Sequence, residues 1–406
     1  MRICFFTENF NKGGLDTFLI NLINFWPIPE DELTLLCNKN HPGIESILEK
    51  TGDNLILNKY NRFFLSDLSR GYCFLWNGQL KPVKKIFGAM YRALEYPILF
   101  PWYVLSLALF FRKSQFDRLM VVNGGYPGSL LCRAAAISWK LSGKKNLCLF
   151  NVHSSASTPK KLVAPIENLI DNLLVKSTKL FICVSNNSVD CLKRRNSFSA
   201  VNNILYIYNG ISDPIAKDAV RLPANKKTQP PYILMLATLD KYKGHKFLLK
   251  SFQILLKSIP NTELKIFGHG SEEQKREIQR EISSLQLTKN VLLGDFVANP
   301  KSLILNASVM VVPSQEYEAF GLTIIEAMAL RTPIVATNVG GMPEVLGGSG
   351  AGFICDKNDA EQFAEYISLI LKDPISANRL GENGRKTFEE RFNAAMMANK
   401  YHLAIQ

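Results

Sequence analysis

The chain has 406 residues, 47% of them hydrophobic and 20% charged, with a formal net charge of +13. That length and balance leave room for two domains with sizeable cores and exclude a disordered or low-complexity chain. The excess of Lys and Arg calls for anionic partners: nucleic acid, a phosphorylated substrate and an acidic membrane surface all satisfy it.

Met1 to Thr7 is too short and too β-prone for a signal peptide and reads as a first strand. The eight cysteines are scattered singly, with no Cys-x-x-Cys, as expected of reduced core thiols in a cytoplasmic protein. After the first strand comes a loop ending in Gly13-Gly14, which lets backbone amides approach an anion. A helix from about Leu15 follows, with Phe18, Leu19, Leu22 and Ile23 on its apolar face. Leu33 to Cys37 is a second strand. Residues from about 58 to 79 read as irregular and aromatic-rich. Lys81, Lys84, Lys85 and Arg92 then precede an apolar run from Pro97 to Phe111, closed by Arg112 and Lys113. The run is interrupted by Pro101 and is shorter than the roughly twenty residues that span a bilayer. It reads either as a helix packed on the sheet or as a monotopic surface helix with its basic flanks on anionic headgroups. The two can hold together, and the flanks favour partial membrane contact.

Arg118 to Val122 is the next strand, followed by the glycine-rich loop Asn123 to Gly128 and an alanine-rich helix from Leu130 to Trp139. Leu147 to Val152 is a strand ending in His153, a position where histidine is more often structural than catalytic. Strands at Leu180 and Ile204 follow, and a proline- and lysine-rich linker runs over 213–231. A second α/β unit opens with the strand from Tyr232, then Thr238, Lys243, Gly244 and an amphipathic helix through Phe247, Phe252 and Leu256. Further strand ends carry Gly268 and Phe296. Val309 to Val312 is a buried parallel strand stopped by Pro313 and Ser314, and Phe320-Gly321 opens a helix with Leu322, Ile325, Ala329 and Leu330 on one face. Ile334 to Ala336 is the next strand, and after Phe353 the chain reads as helical.

The loop before that helix has readable chemistry. The amides of Gly321, Leu322 and Thr323 are the unpaired donors of a helix N-terminus, a ready phosphate site. Glu318 and Glu326 would repel a phosphate unless they face hydroxyls, and a carboxylate accepts well from two vicinal hydroxyls of a ribose or a hexose. A phosphate pocket between two hydroxyl readers describes a nucleotide-sugar site. Alone, the two glutamates are better read as a solvated loop charge and part of an ordinary helix.

The stretch as a whole, Pro313-Ser314, Glu318-Ala-Phe-Gly321, Glu326-Ala-Met-Ala and Gly340-Gly-Met-Pro-Glu344, closely resembles the donor-site signature of glycosyltransferase family 4. The resemblance is strongest over 232–345. It implies an α/β GT-B fold: two Rossmann-like, doubly wound parallel-sheet domains facing a cleft. The N-terminal acceptor domain would cover 1–212 and the donor domain 232–385, with a helix at 386–406 packing back on the first domain. It implies a retaining, metal-independent transfer of a sugar from a nucleotide diphosphate sugar, with no cofactor. By the same resemblance His153, Glu318 and Lys243 would be catalytic. Gly13, Gly14, Thr238, Lys243, Gly268, Phe296, Glu318, Phe320, Gly321, Leu322 and Glu326 would bind the donor. Glu326 would read the ribose, Glu318 the hexose and Lys243 the diphosphate. The family's usual Gly-Arg-Leu is Ala237-Thr238-Leu239 here. An arginine fork is thereby lost, for which Lys241, His245 and the helix N-terminus are candidate substitutes.

The basic charge and the aromatic run suggest a lipid-linked glycan acceptor of surface-polysaccharide synthesis, handled at the cytoplasmic face of the inner membrane. No Asp-x-Asp pair supplies a metal-ligand motif, and no nucleic-acid-binding motif accompanies the charge. The rival reading is a catalytically weakened GT-B subunit that binds a partner.

Overall fold

A computed structural model describes residues 1–10, 13–60, 95–144, 147–215 and 230–406. Seven strands form the first sheet: β1 (Arg2–Thr7), β2 (Glu32–Asn38), β3 (Ile56–Tyr60), β4 (Arg118–Asn123), β5 (Cys148–Val152), β6 (Leu180–Cys183) and β7 (Ile204–Tyr206). All pair parallel, in the order β3-β2-β1-β4-β5-β6-β7. The second sheet holds β8 (Tyr232–Leu236), β9 (Glu263–Phe267), β10 (Val291–Gly294), β11 (Val309–Val312), β12 (Ile334–Thr337) and β13 (Gly352–Cys355). It is also parallel, in the order β10-β9-β8-β11-β12-β13.

Both orders are doubly wound and reverse once, between β1 and β4 and between β8 and β11. At such a reversal the loops leaving the carboxyl ends of the two central strands diverge to opposite faces and leave a crevice for a ligand. The central strands are unbroken apolar runs because both faces of a parallel sheet are covered. In the second unit alternate residues separate accordingly: Leu234, Met310, Val312, Ile334 and Ala336 enter one core, and Ile233, Met235, Val309, Val311 and Val335 the other. By contact the chain divides into one unit of Met1–Cys183, Val189–Tyr206 and Ala398–Gln406, and a second of Val184–Ser188 and Ile207–Met397. In the first unit the closing segment is held by Asn151 Nδ2, which donates to Tyr401 Oη at 2.6 Å, and by Arg118 Nε, which donates to the Ile405 carbonyl at 2.9 Å.

Several sequence expectations change. Residues 58–60 belong to β3, and the rest of that stretch, with Lys81, Lys84, Lys85 and Arg92, lies outside the described residues, as does 216–229 of the linker. Pro101 does not break the apolar run. It sits in the first turn of the helix Phe100–Lys113, where its missing N–H has no intrahelical role. Phe353 lies in β13, and three helices follow (Ala360–Lys372, Pro374–Arg391 and Ala394–Ile405).

The loop after β4 is clasped from beneath by buried charge. Glu167 receives Arg133 Nη1 at 2.9 Å and Arg195 Nη2 at 2.8 Å, while Asp171 receives Arg195 Nε at 2.8 Å. Tyr126 Oη donates to Asp171 at 2.5 Å, and Tyr126 exchanges backbone bonds with Ser155 and Ser157. All four charged side chains are nearly inaccessible to water. Removing one member strands the others without a counter-charge, a loss of about 3–5 kcal/mol. Arg195→Met is therefore expected to lower the stability of the first unit by that amount in urea unfolding, with the spectrum of the folded state retained below the transition.

Candidate functional site

The crevice of the second unit lies between the loops after β8 and β11. The β8 loop runs from Ala237 through a short 3-10 turn, Lys241–Lys243, to Gly244, which starts the helix His245–Leu256. Gly244 has φ +84°, and a Cβ there would lie 1.9 Å from the Pro313 carbonyl oxygen. Only glycine lets the two loops touch. They are then stitched: the Gln315 N–H donates to the Tyr242 carbonyl at 2.8 Å, and the Tyr242 and Tyr317 rings stack at 4.7 Å. Each tyrosine immediately precedes a charged residue of the site. Lys243 Nζ meets Glu318 Oε2 at 2.5 Å, with both side chains mostly withdrawn from water.

Glu318 is fixed from behind as well. Its carbonyl accepts from the Gly341 N–H at 2.8 Å, and Cβ atoms on Gly340 and Gly341 would fall 2.0 Å from the Glu318 carbonyl oxygen and 2.3 Å from that of Ala319. The Gly340-Gly341 pair is thus a bed for the Glu318 backbone. Glu344 of the same motif accepts the N–H groups of Asn186 and Asn187 at 2.7 and 2.6 Å. Gly321, at φ +90°, caps the helix Leu322–Ala329, whose first turn offers its amides toward the carboxyl end of β11. Leu322 is half-buried there. The Phe320 ring is buried against Tyr208 and Phe392 and belongs to the core.

Glu326 is the second carboxylate, on the same helix. Among the described residues it has no hydrogen-bond or salt-bridge partner, and burial lifts its carboxyl to about 7. Withdrawal from water without a protein donor penalises the ionised form, which is the cause of the rise.

Thr238 is engaged elsewhere, its hydroxyl donating to Asp240 at 2.7 Å while Asp240 also receives Gln274 at 3.1 Å. The two side-chain substitutes for the missing arginine have other surroundings here. Lys241 is exposed and paired with Glu277 at 3.5 Å. His245 is buried with both ring nitrogens unpartnered, and desolvation drops it to about 4, so it carries no charge near neutrality. Gly268 packs on the Ala237 carbonyl, 1.7 Å from where its Cβ would be, so it is needed to shape the β8 loop. Phe296 is 60% exposed beyond β10, a ring available for stacking.

In the first unit the structure brings His153 to the Gly13-Gly14 loop. Its Nδ1 is buried and unpartnered, its ring lies 4.8 Å from Phe18, and desolvation outweighs a backbone hydrogen bond at Gly14 to bring it to about 4. The Gly13 N–H is already given to Asp16 at 3.1 Å, and its extended backbone with open space around Cβ does not require glycine. Sequence reading missed the Tyr242–Tyr317 stack and the Asp16 contact. The only signal for the stack is that both tyrosines stand beside charged motif residues.

Residues 217–387 match the profile of the family described as glycosyl transferases group 1. The chain is 32% identical over 206 residues to the capsular polysaccharide biosynthesis glycosyltransferase CapM of Staphylococcus aureus, covering 48% of this chain and 53% of that one. It is 32% identical over 123 residues to N-acetyl-alpha-D-glucosaminyl L-malate synthase of Bacillus anthracis, covering 29% and 32%. The chain spans about half the length of CapM and a third of the synthase. By fold the likeness runs end to end. HepE of Anabaena in complex with UDP superposes with a TM-score of 0.74 at 17% identity over 100% of this chain and 99% of that one. A glycosyltransferase of Rickettsia africae gives 0.75 at 17% over 100% and 97%. The two doubly wound sheets are therefore the GT-B fold.

The unpartnered Glu326 makes a ligand-free prediction. Its carboxyl sits higher in the folded chain than the ordinary 4.5, so the folded state holds a proton that the unfolded state has lost between about 4.5 and 7. The resulting burden is absent below pH 4.5, grows as pH rises to 7 and is constant above. Glu326→Gln should raise stability at pH 8 by up to about 3 kcal/mol and leave it unchanged near pH 4.5, as read by denaturant unfolding.

Proposed function

We propose that this chain is a retaining, metal-independent glycosyltransferase of the family 4 type, moving a sugar from a nucleotide diphosphate sugar to a hydroxyl of a lipid-linked glycan. Surface-polysaccharide synthesis (capsule, O-antigen or exopolysaccharide) at the cytoplasmic face of a membrane is the setting that fits. One observation carries the reading: Lys243 and Glu318 pair where the loops at the sheet reversal meet, and the unpartnered carboxylate of Glu326 lies on the helix that follows.

The chemistry follows from exchange of partners. A diphosphate takes Lys243 and the amides at Gly321 and Leu322, which balance the charge that grows on the leaving group. Glu318, released, accepts from sugar hydroxyls. Glu326 accepts from the two ribose hydroxyls, which favour its ionised form. His153, neutral, donates or accepts without adding charge beside the transferred sugar. UDP is the first nucleotide to try because HepE is solved with it. A relative named for capsular polysaccharide synthesis, CapM, supports the polysaccharide setting.

A second reading has its own support. With Thr238 tied to Asp240 and Lys241 turned to Glu277, the diphosphate has one lysine and no arginine. A donor site so weakened would suit a subunit that binds a partner. A thermal-shift screen with UDP, GDP, ADP and CMP and their sugars, in EDTA, separates the two. Stabilisation by one nucleotide, weakened about tenfold or more in affinity by Lys243→Ala, supports the enzyme. No shift with any of them favours the partner-binding subunit.

Binding should also release a proton. At pH 7 Glu326 is about half protonated, and ribose hydroxyls select the ionised form. Calorimetry in buffers of different ionisation heat is expected to show release of up to about half a proton, affinity rising with pH through 7, and neither effect in Glu326→Gln.

A further inference from the structure

The helix Phe100–Lys113 is apolar on both its faces. Its inner face, with Tyr103, Val104, Leu107 and Phe111, packs into the core of the first unit. Ser106 is also turned inward, bonded to the Tyr103 carbonyl at 3.1 Å. The solvent side, with the turn before it, shows Pro97, Ile98, Pro101, Trp102, Leu105 and Leu109, with no polar side chain among the exposed residues from 97 to 109. Ile98, Trp102, Leu105 and Leu109 are 58%, 46%, 63% and 60% exposed and form one stripe at helical spacing. A surface helix normally reserves that stripe for charge.

The face extends sideways. The helix Leu130–Leu141 is buried along almost its whole length between Phe100–Lys113 and Ala164–Ser177. Tyr96 Oη donates to Glu167, tying the turn before the first helix to the last. Ala164–Ser177 adds Leu169 and Leu173, 59% and 41% exposed. These three helices lead directly into β4, β5 and β6, which are neighbours in the sheet. Their carboxyl ends therefore gather along one edge, where Arg112, Lys113, Lys140 and Lys176 are all exposed. The acidic side chains of the same helices, Glu167 and Asp171, are buried on arginines, so every exposed charge on these helices is positive.

We propose that this face docks on an anionic lipid bilayer, the leucine and tryptophan ridge entering the headgroup layer and the basic rim lying against lipid phosphates. Apolar burial and charge attraction act together in such contacts. A second copy is the other occupant such a face admits, and the basic rim, which has no acidic counterpart on these helices, favours the anionic bilayer over it. Among the described residues no helix is long and apolar enough to cross a membrane, which leaves the in-plane arrangement. The inference deepens the lipid-linked acceptor reading and rests on it for its purpose, though the surface itself is observed independently.

The test is flotation of the full chain with phosphatidylcholine vesicles, with and without one-quarter phosphatidylglycerol, at about 50 and about 500 mM salt. Binding about tenfold greater on the anionic vesicles, weakened by salt and by Arg112→Glu with Lys113→Glu, and abolished by Leu105→Glu with Leu109→Glu, is the expected result. No flotation, or flotation indifferent to Leu105→Glu with Leu109→Glu, overturns it. So does a wild-type dimer in light scattering that the leucine variant dissolves, since the face then belongs to a second copy. The leucine variant should keep the wild-type nucleotide thermal shift. Vesicle binding with no nucleotide shift would instead sink the transferase reading and leave this one standing.

Discussion

The second unit's crevice depends on one ion pair, Lys243 with Glu318. The two residues come from loops that leave adjacent parallel strands, and nothing in the strands themselves makes those loops meet. Both charges are largely out of water, so each needs the other while the crevice is empty. That is a poised arrangement. A ligand that brings an anion for the lysine and hydroxyls for the glutamate replaces both halves at once, whereas a ligand with only one of these leaves a stranded charge. If the site holds the proposed donor, the pair would favour a phosphate joined to a polyol before any pocket shape is considered.

The pair can be positioned so closely because backbone, not side chain, separates the loops. Gly244 on Pro313, Gly340 on Glu318 and Gly268 on Ala237 are contacts in which a methyl group would collide. The Tyr242–Tyr317 stack then closes the open side. Rigid support of this kind holds a charged contact within tenths of an ångström. Thr238 shows the limit of the scheme: its loop is as well fixed as the rest, but its hydroxyl donates to Asp240 and supplies no cation for a phosphate.

Much of this was legible in the chain. β1, β4, β8 and β11 are unbroken apolar runs because parallel strands are covered on both faces, and the Glu318 to Glu326 spacing survives as a pattern in the letters. β3 and β13 were not legible, since both are short edge strands, one carrying Asn58 and Lys59 and the other beginning at Gly352. Phe320 was read with its motif as a ligand contact, yet an aromatic beside a glycine can equally fill a core. What no sequence displays is partnership. That Glu326 lacks a donor, that His245 is sealed off and that Tyr242 finds Tyr317 are facts about neighbours far away in the chain.

The buried cluster of Arg133, Glu167, Asp171 and Arg195 bears on how this chain can change over time. Any one replacement passes through a form with a stranded interior charge, so no member can drift alone. The four, with Tyr126 above them, would be inherited as a block. Tyr126 carries the loop between β4 and the helix Leu130–Leu141, so that loop's backbone path would be expected to go with them. Diversification on that side of the first unit is then pushed to the exposed residues of the loop, which can vary freely on a path that cannot.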